Sequence, residues 1–289
     1  MAIKVTAPAS TANLGPGFDC LAAAVSVSLE VSASEGEETW DVTAPGGEAP
    51  SADLLVRAAE AVAGEITGLG GTIRSDIPLQ AGLGSSAATI AAGLLLGCAI
   101  ADTEPDRGEL LQLGAQIEGH PDNLAATLYG GLTLVVPVAG GLDVLPFVPT
   151  SSVRPLILLP RERLSTSEAR RVLPSEVPLS DAIANSSRAT GLVALLSGVV
   201  SPSSDRLWTY TQDLLHQPYR APLMPRTAEV LEQLRSVGVP AALSGAGPAI
   251  VCLVIRGEEE GTRKVAADLE DWELMELDWS TESARILER

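Results

Sequence analysis

The stretch Pro78–Thr89, PLQAGLGSSAAT, sets glycines and serines directly before the apolar run Ile90–Ala101, IAAGLLLGCAIA. The run is typical of a buried helix, because it contains no charged side chain. Glycine lets a ligand approach the backbone closely, and the first turn of a helix has N–H groups without internal partners. The stretch therefore predicts either an anion site at the start of a helix or a plain turn in which Ser85 or Ser86 caps the helix.

The composition of the 289 residues limits the possible classes of protein and partner. With 46% apolar residues, the chain can fill a core in one large or two medium domains. Nineteen basic and 37 acidic residues give a formal charge of −18, which argues against nucleic acid and anionic membranes as partners. Neither a targeting signal nor a membrane-spanning apolar run is found, so we expect a cytoplasmic protein. The widely spaced Cys20, Cys98 and Cys252 predict core thiols, with no disulfide framework and no zinc site.

Hydrophobic patterns divide the chain into two mixed halves. Before residue 150, alternating strands flank helical segments, the glycine loop lies between a strand and a helix, and residues 131–149 are typical of a hairpin. After residue 150, the predicted order is a strand, three or four helices, a strand-turn-strand, a helix and a last strand. We therefore expect an α+β protein with domains at residues 1–150 and 151–289, the second an antiparallel sheet layered with helices.

Two further glycine-rich stretches accompany the loop. Ala7–Asp19, APASTANLGPGFD, follows the first predicted strand, and Leu243–Ile250, LSGAGPAI, lies far downstream. Each alone is typical of a turn. The loop lacks the lysine of a GxxxxGK[ST] motif, and neither a GxGxxG dinucleotide pattern nor a GxSxG elbow occurs in its required context. P-loop nucleotide binding, dinucleotide binding and serine hydrolysis thus have no motif support.

Taken together and in this order, the three stretches resemble the three motifs of the galactokinase, homoserine kinase, mevalonate kinase and phosphomevalonate kinase (GHMP kinase) superfamily. The resemblance runs from about Ile3 to Val254, and residues 117–131, 165–174 and 216–225 are similar to segments of homoserine kinases in particular. Sister enzymes carry APGK where this chain has APAST. The resemblance implies a two-domain GHMP kinase fold, with an N-terminal domain like the second domain of ribosomal protein S5 and a ferredoxin-like C-terminal domain.

The resemblance also implies an activity. It is the transfer of the ATP γ-phosphate to the hydroxyl of L-homoserine, giving O-phospho-L-homoserine in threonine biosynthesis, with Mg²⁺ as the metal. Two alternatives stay open: a sister kinase for another small alcohol such as mevalonate, and a catalytically inactive nucleotide-binding regulator. The expected partners are ATP and L-homoserine, without nucleic acid or membrane, and a homodimer stays open as the oligomeric state.

The ATP site is assigned by the same resemblance. Glycines let the loop curl around phosphate oxygens, and the helix start adds its partial positive charge. Because Mg²⁺ keeps waters and phosphate oxygens, few protein ligands suffice; these are Glu118 and a loop serine, Ser86 in preference to Ser85. Glu118 could also be a solvated charge at a helix end. The expected phosphate-binding residues are Pro78, Leu79, Gln80, Ala81, Gly82, Leu83, Gly84, Ser85, Ser86, Ala87 and Ala88.

The acceptor site follows from the chemistry of homoserine, which needs an anion for its ammonium and cations for its carboxylate. Asp19 is predicted to hold the ammonium, and Arg170 and Arg220 resemble the family's carboxylate-binding pair, with Arg171 as the competing position for Arg170. Asn13 and Asn123 are expected near the hydroxyl. The predicted catalytic residues are Asn13, Asn123 and Glu118.

No side-chain base is expected, since phosphoryl transfer relies mainly on alignment and charge neutralisation. The competitor for that role is Asp122. Its expected role is to cap a helix, which Asn123 could also do. His120 and His216 are predicted to be turn histidines with satisfied hydrogen bonds.

Overall fold

The computed structural model describes residues 2–36, 39–45, 50–79 and 81–289. The first half has the predicted order of strands and helices, with one short strand, Trp40–Thr43, that was not predicted. In chain order its elements are β1 (Ala2–Asn13), β2 (Gly17–Glu35), β3 (Trp40–Thr43), α1 (Ala52–Ala63), β4 (Leu69–Ser75), α2 (Ser85–Ile100), α3 (Arg107–Glu118), α4 (Asp122–Tyr129), β5 (Leu132–Val138) and β6 (Gly141–Phe147).

The second half begins with a strand and is richer in helices than its pattern predicts. Five helices lie between its first and second strands, where three or four are expected, because three of the five are too short to show a helical period. Its elements are β7 (Val153–Pro160), α5 (Thr166–Arg171), α6 (Leu179–Leu196), α7 (Ser204–Tyr210), α8 (Gln217–Arg220) followed by a 3₁₀ turn (Ala221–Leu223), α9 (Pro225–Ser236), β8 (Ala241–Leu243), β9 (Ile250–Ile255), α10 (Glu260–Ala267), β10 (Trp272–Glu276) and β11 (Arg285–Glu288).

The first sheet is organised around β1 and β2. Among the described residues it has seven strands in the order β11-β1-β2-β4-β3, with β5 pairing β2 and β6 pairing β5. The 19 residues of β2 pair with β4 through residues 29–35 and with β5 through residues 21–23. The predicted hairpin of β5 and β6 is confirmed. The helices α2 and α4 of the first half pack on β1 and β2 of this sheet.

The sequence predicts that the first glycine-rich motif follows a short strand, and this prediction is wrong. β1 instead runs through most of the motif to Asn13, and the chain turns at Leu14–Pro16 into β2. A register shift between Pro8 and Ala9 accommodates the proline within the sheet.

The helix α2 is buried on nearly all sides, as its apolar run predicts. Two of its glycines face α1: a Cβ atom at Gly93 would lie 2.3 Å from the carbonyl oxygen of Leu55, and one at Gly97 would lie 2.4 Å from that of Ala59. The two helices therefore pack with their backbones almost in contact. This fixes the position of the N-terminus of α2, where the glycine loop ends.

The second sheet is antiparallel throughout, in the order β10-β7-β9-β8. The third glycine-rich motif connects β8 to β9, and the N–H of Gly245 in it donates to the carbonyl of Ala12 at 3.0 Å. This bond joins the motif to the end of β1. After β10 the chain returns to the first sheet, where β11 pairs with β1. The domain boundary at residues 150 and 151 stays a prediction.

Two smaller expectations concern thiols and membranes. Cys98 and Cys252 are buried free thiols, as predicted, whereas Cys20 is half-buried. Burial raises the pKa of Cys20 to about 11, with help from the nearby carboxylates of Asp122 and Asp19. Within the ranges described, no helix combines the length and apolar character needed to cross a bilayer.

Candidate active site

The three glycine-rich motifs meet at one cavity of about 380 Å³, within the range of small-molecule sites. Their meeting is fixed by a chain of two hydroxyls. Ser244 Oγ donates to the carbonyl of Gly82 at 2.6 Å, so the Thr11 hydroxyl, 2.9 Å away, donates to Ser244 Oγ. The N–H of Ser10 also donates to the carbonyl of Leu83 at 3.2 Å. The glycine loop is therefore held on one side by β1 and on the other by the third motif.

Glycine is required at two positions of this loop. Gly82 (φ +76°) and Gly84 (φ +66°) are both left-handed. A Cβ atom at Gly82 would lie 2.2 Å from the Ser244 carbonyl oxygen, and one at Gly84 would lie 2.4 Å from Ser10 Oγ. Conformation and packing together therefore exclude larger residues.

The plain-turn interpretation, in which Ser85 or Ser86 caps α2, is wrong. The capping position is Gly84, and it makes no side-chain cap. Ser86 donates to Glu118 instead, and Ser85 Oγ is buried on the cavity wall without a partner in the described chain. A helix start whose own hydroxyls do not cap it leaves its N–H groups available to an anion.

Most of the predicted phosphate-binding residues line this cavity. Leu79, Ala81, Gly82, Leu83, Gly84, Ser85 and Ser86 do so. Gln80 lies outside the described residues. Pro78 is not on the wall, and Ala87 and Ala88 are buried within α2.

The two expected metal ligands lie together. Ser86 Oγ donates to Glu118 Oε2 at 2.6 Å, across the start of α2 and the end of α3. Burial raises the pKa of Glu118, and the hydrogen bond from Ser86 opposes that shift. Both atoms are oxygens, which Mg²⁺ prefers, so this pair fits a magnesium ion that also takes phosphate oxygens and water. In the described ranges, no group of three or more histidines, cysteines or carboxylates could hold a metal by itself.

His120 and Asp122 form a pair on the cavity wall. His120 Nδ1 donates to Asp122 Oδ1 at 2.9 Å, and the N–H of Asn123 donates to the same carboxylate oxygen at 2.8 Å. Burial lowers the pKa of His120, but its bond to Asp122 and that charge outweigh burial, so the pKa lies above its usual range. The expected N-cap role of Asp122 or Asn123 is wrong. Asp122 is already the first residue of α4, so Pro121 occupies the capping position.

The asparagines of the site hold backbone and side chains in place. Asn13 Nδ2 donates to the carbonyl of Gly245 at 2.7 Å, and its Oδ1 accepts the N–H of Asp19 at 3.0 Å. Asn123 Oδ1 accepts the hydroxyl of Ser10 at 2.9 Å. Both asparagines line the cavity.

Asp19 and Arg170 form an ion pair on the cavity wall. The guanidinium nitrogens lie 2.7 and 2.9 Å from the two carboxylate oxygens, and about a third of each side chain is exposed. Burial lowers the pKa of Arg170, but the bonds to Asp19 outweigh it and hold that pKa above its ordinary value. Arg171, the competing position, is exposed and is not on the wall.

Arg220 is a buried cation, 2% exposed, held by neutral groups. Its guanidinium donates to the carbonyls of Ala169 and Gly245 and to Nδ1 of His216. Burial lowers the pKa of Arg220 to about 10, so it stays charged at neutral pH. The charges of Asp19 and Asp213 oppose part of this shift, but the hydrogen bonds of Arg220 go to neutral acceptors, which leaves the guanidinium suited to an anionic ligand.

His216 holds Arg220 in place by a hydrogen bond of 3.0 Å between its Nδ1 and the guanidinium. It is fully buried, and since Nδ1 accepts from Arg220, its Nε2–H donates to the carbonyl of Gly15 at 2.8 Å. Burial lowers the pKa of His216, which keeps the ring neutral. The prediction of a satisfied histidine is confirmed.

Sequence reasoning missed Phe18. Its ring lies 5.7 Å from the Arg170 guanidinium carbon and 5.2 Å from that of Arg220, and it stacks on His216 at 5.2 Å. An aromatic face so near two cations offsets part of their repulsion. The available signal is a phenylalanine directly before Asp19 in a chain with only 3% aromatic residues. Residues 164–166, which also line the cavity, were likewise missed.

Comparison with known proteins decides the family. Models of the GHMP kinases N terminal domain and the GHMP kinases C terminal domain match residues 53–131 and 204–270. The chain is also 36% identical, over 298 aligned positions, to a homoserine kinase of Streptomyces coelicolor, with 99% of this chain and 94% of the relative covered. The chain belongs to the homoserine kinase family of the GHMP kinases.

Solved GHMP kinases share the architecture. A homoserine kinase from Cytophaga hutchinsonii superimposes with a TM-score of 0.79 at 25% identity, covering 99% of this chain and 97% of the other. Mevalonate kinase of L. major, solved with R-mevalonate, gives a TM-score of 0.70 at 16% identity over 97% and 96% of the two chains. The predicted two-domain α+β GHMP kinase fold is confirmed.

Proposed function

We propose that this chain is an ATP-dependent homoserine kinase, which transfers the γ-phosphate of ATP to the hydroxyl of L-homoserine and yields O-phospho-L-homoserine. The observation that carries the proposal is the arrangement of the cavity. A helix start without a side-chain cap forms one part of its wall, and a carboxylate with two guanidinium groups forms another.

ATP would bind with its phosphates against the loop from Ala81 to Ser86. Gly82 and Gly84 let backbone N–H groups approach the oxygens, and α2 adds the positive end of its dipole. Ser86 and Glu118 would hold Mg²⁺, which when bound neutralises phosphate charge and orients the transferred group. The 2.6 Å bond between Ser86 and Glu118 supports this assignment, because it brings the two oxygens within one coordination sphere.

L-Homoserine would bind beside Asp19, Arg170 and Arg220, which all line the cavity. Asp19 supplies the anion for the ammonium, and Arg170 with Arg220 supplies cations for the carboxylate. The burial of Arg220 among neutral acceptors supports the carboxylate subsite, since a ligand anion would compensate its charge.

Asn123 would orient the hydroxyl, and Asn13 would fix the backbone that carries Asp19. Alignment then contributes most of the rate acceleration, without a dedicated side-chain base, because the transition state of phosphoryl transfer is loose. Asp122 is less suited to act as a base, since one of its carboxylate oxygens already accepts two hydrogen bonds.

The alternatives predict different acceptors. A mevalonate kinase has no ammonium to satisfy Asp19, and an inactive nucleotide-binding regulator needs no acceptor site at Asp19 and Arg170. We also propose a cytoplasmic location and a role in threonine biosynthesis, and we leave a homodimer open.

The test is an ATP-dependent phosphorylation assay with L-homoserine, D-homoserine, mevalonate, galactose and shikimate. We expect L-homoserine to give the highest kcat/KM, with strict dependence on Mg²⁺. A higher kcat/KM for any other acceptor would contradict the substrate, and the absence of Mg²⁺-dependent ATP turnover with all five would favour the inactive regulator.

A further inference from the structure

The ion pair of Asp19 and Arg170 joins the two residues that the proposed function assigns to opposite charges of the acceptor. Asp19 lies near the start of β2, and Arg170 lies in α5, 151 residues away. Both guanidinium-to-carboxylate bonds are short, at 2.7 and 2.9 Å, in the parallel geometry that makes such pairs strong. In the protein without acceptor, each residue is thus satisfied by the other.

An acceptor cannot bind both residues while this pair is intact. The carboxylate oxygens of Asp19 are the atoms that would receive an ammonium, and the same oxygens hold Arg170. Likewise, the guanidinium nitrogens that would bind a carboxylate donate to Asp19. Arg220 differs, because its hydrogen bonds go to neutral acceptors.

We propose that L-homoserine binds by exchange of this ion pair, so that its ammonium takes the place of Arg170 on Asp19 while its carboxylate takes the place of Asp19 on Arg170. The inference rests on the proposed function. A zwitterion replaces one internal pair by two external pairs, and no charge is left alone. A ligand with a single charge breaks the same pair but leaves either Asp19 or Arg170 without a partner. Selectivity for a zwitterionic amino acid is therefore coupled across the two residues.

Exchange of the ion pair predicts that a single variant binds some ligands more tightly than wild type does. The cost of opening the pair reduces the affinity of every ligand, as the population of a closed state does. Removing one charge removes that cost for ligands of the other residue. Asp19→Asn should therefore bind 4-hydroxybutanoate, which is homoserine without its amino group, more tightly than wild type does. Arg170→Met should likewise bind 3-aminopropan-1-ol, which lacks the carboxylate, more tightly. Both variants should bind L-homoserine more weakly.

The gain should be modest, since about a third of each side chain is exposed and water screens the pair. We expect about three- to tenfold tighter binding of the matching half-ligand. Asp19→Asn is expected to fold, because asparagine tolerates the left-handed backbone of this position, φ +58°. Arg171→Met is the matched control, as it removes the adjacent exposed arginine.

The experiment measures dissociation constants of L-homoserine, 4-hydroxybutanoate and 3-aminopropan-1-ol by ligand-observed NMR with the full chain, for wild type and the three variants. Melting temperatures verify folding, and either single variant suffices because the two gains are separate. The expected result is a gain for each matching half-ligand, a loss for L-homoserine, and no change in Arg171→Met.

Unchanged or weaker binding of the matching half-ligand by a folded variant would overturn the exchange, since the pair would then persist in the complex. This readout is binding rather than turnover. Phosphorylation of L-homoserine by wild type without half-ligand gains would refute the exchange alone, whereas half-ligand gains without phosphorylation would refute the proposed function alone.

Discussion

The hydroxyls of Thr11 and Ser244 lie 2.9 Å apart and complete a hydrogen-bond chain that ends on the carbonyl of Gly82. The two residues are 233 positions apart in sequence. They connect the two outer glycine-rich motifs to the loop between them, so the shape of the phosphate loop depends on contacts from both halves of the protein.

Thr11→Val tests this connection. It removes the donor to Ser244 and should lower the free energy of unfolding by about 1–3 kcal/mol, because a buried group loses its partner. We expect the KM for ATP to rise severalfold as the loop loosens, with little change in the KM for L-homoserine. The matched control is Thr133→Val, which removes a buried hydroxyl bonded to Ala22 in the first sheet. Equal KM values for ATP in the two variants would contradict the role of the hydroxyl chain.

Gly84→Ala tests the need for glycine at the helix start. Its Cβ would lie 2.4 Å from Ser10 Oγ and 3.0 Å from Asn123 Oδ1 in a left-handed backbone, so the loop must shift. We expect a loss of ATP affinity of about tenfold or more. Gly238→Ala is the control for backbone strain alone, since that glycine is also left-handed, φ +82°, with open space around it. The interpretation fails if isothermal titration with ATP gives the same affinity for both variants.

Glu118→Gln tests the metal site. An amide oxygen is a neutral and weaker ligand than a carboxylate, so kcat should fall by about two orders of magnitude or more and the Mg²⁺ concentration for half-maximal rate should rise. Folding should be retained, because the pKa of Glu118 is raised by burial and the neutral side chain costs less to bury. The control is Glu109→Gln, on the exposed surface of the same helix. Near-normal turnover at limiting Mg²⁺ would remove Glu118 from the site.

Phe18→Leu tests the aromatic contact with the two arginines. The variant keeps an apolar side chain but loses the ring face, which is 5.7 and 5.2 Å from the guanidinium carbons. We expect the KM for L-homoserine to rise about fivefold or more, at roughly 0.5–1 kcal/mol for each contact, with an unchanged KM for ATP. Phe18→Tyr retains the ring and should restore the KM for L-homoserine. Identical steady-state constants for the two variants would show that the ring face contributes nothing to the binding of L-homoserine.

The two histidines contribute to the pH dependence of stability with opposite signs. Burial lowers the pKa of His216 below its unfolded value of about 6.5, so between these two pKa values the unfolded chain binds more protons and stability falls as pH falls. The pKa of His120 is raised, so its contribution is fully present below about pH 6.5 and is lost as pH rises through the folded pKa.

His216→Gln therefore should show a smaller loss of unfolding free energy than wild type between pH 7 and pH 5, although it is less stable at pH 7. Urea titrations over this range measure the difference. A steeper pH dependence in the variant would mean that His216 is protonated in the folded protein.

The sequence predicted the elements with strong patterns and the chemical types in the site, and it missed what depends on distant contacts. The apolar run of α2 and the alternation of the sheet strands are local signals. The pairing of Asp19 with Arg170 is not, because nothing in either segment indicates that the two charges meet. The capping predictions failed for a related reason, since Ser86 and Asp122 found partners outside their own helices or in the adjacent turn.

The pairing of Thr6 with Arg285 across β1 and β11 has a consequence for folding kinetics. The edge of β1 at residues 4–6 stays unpaired until a segment almost the full length of the chain away reaches it. Such distant closure is slow, and an open strand edge is a template for pairing with another chain. The interval before β11 docks is therefore the period in which refolding at high concentration competes with aggregation.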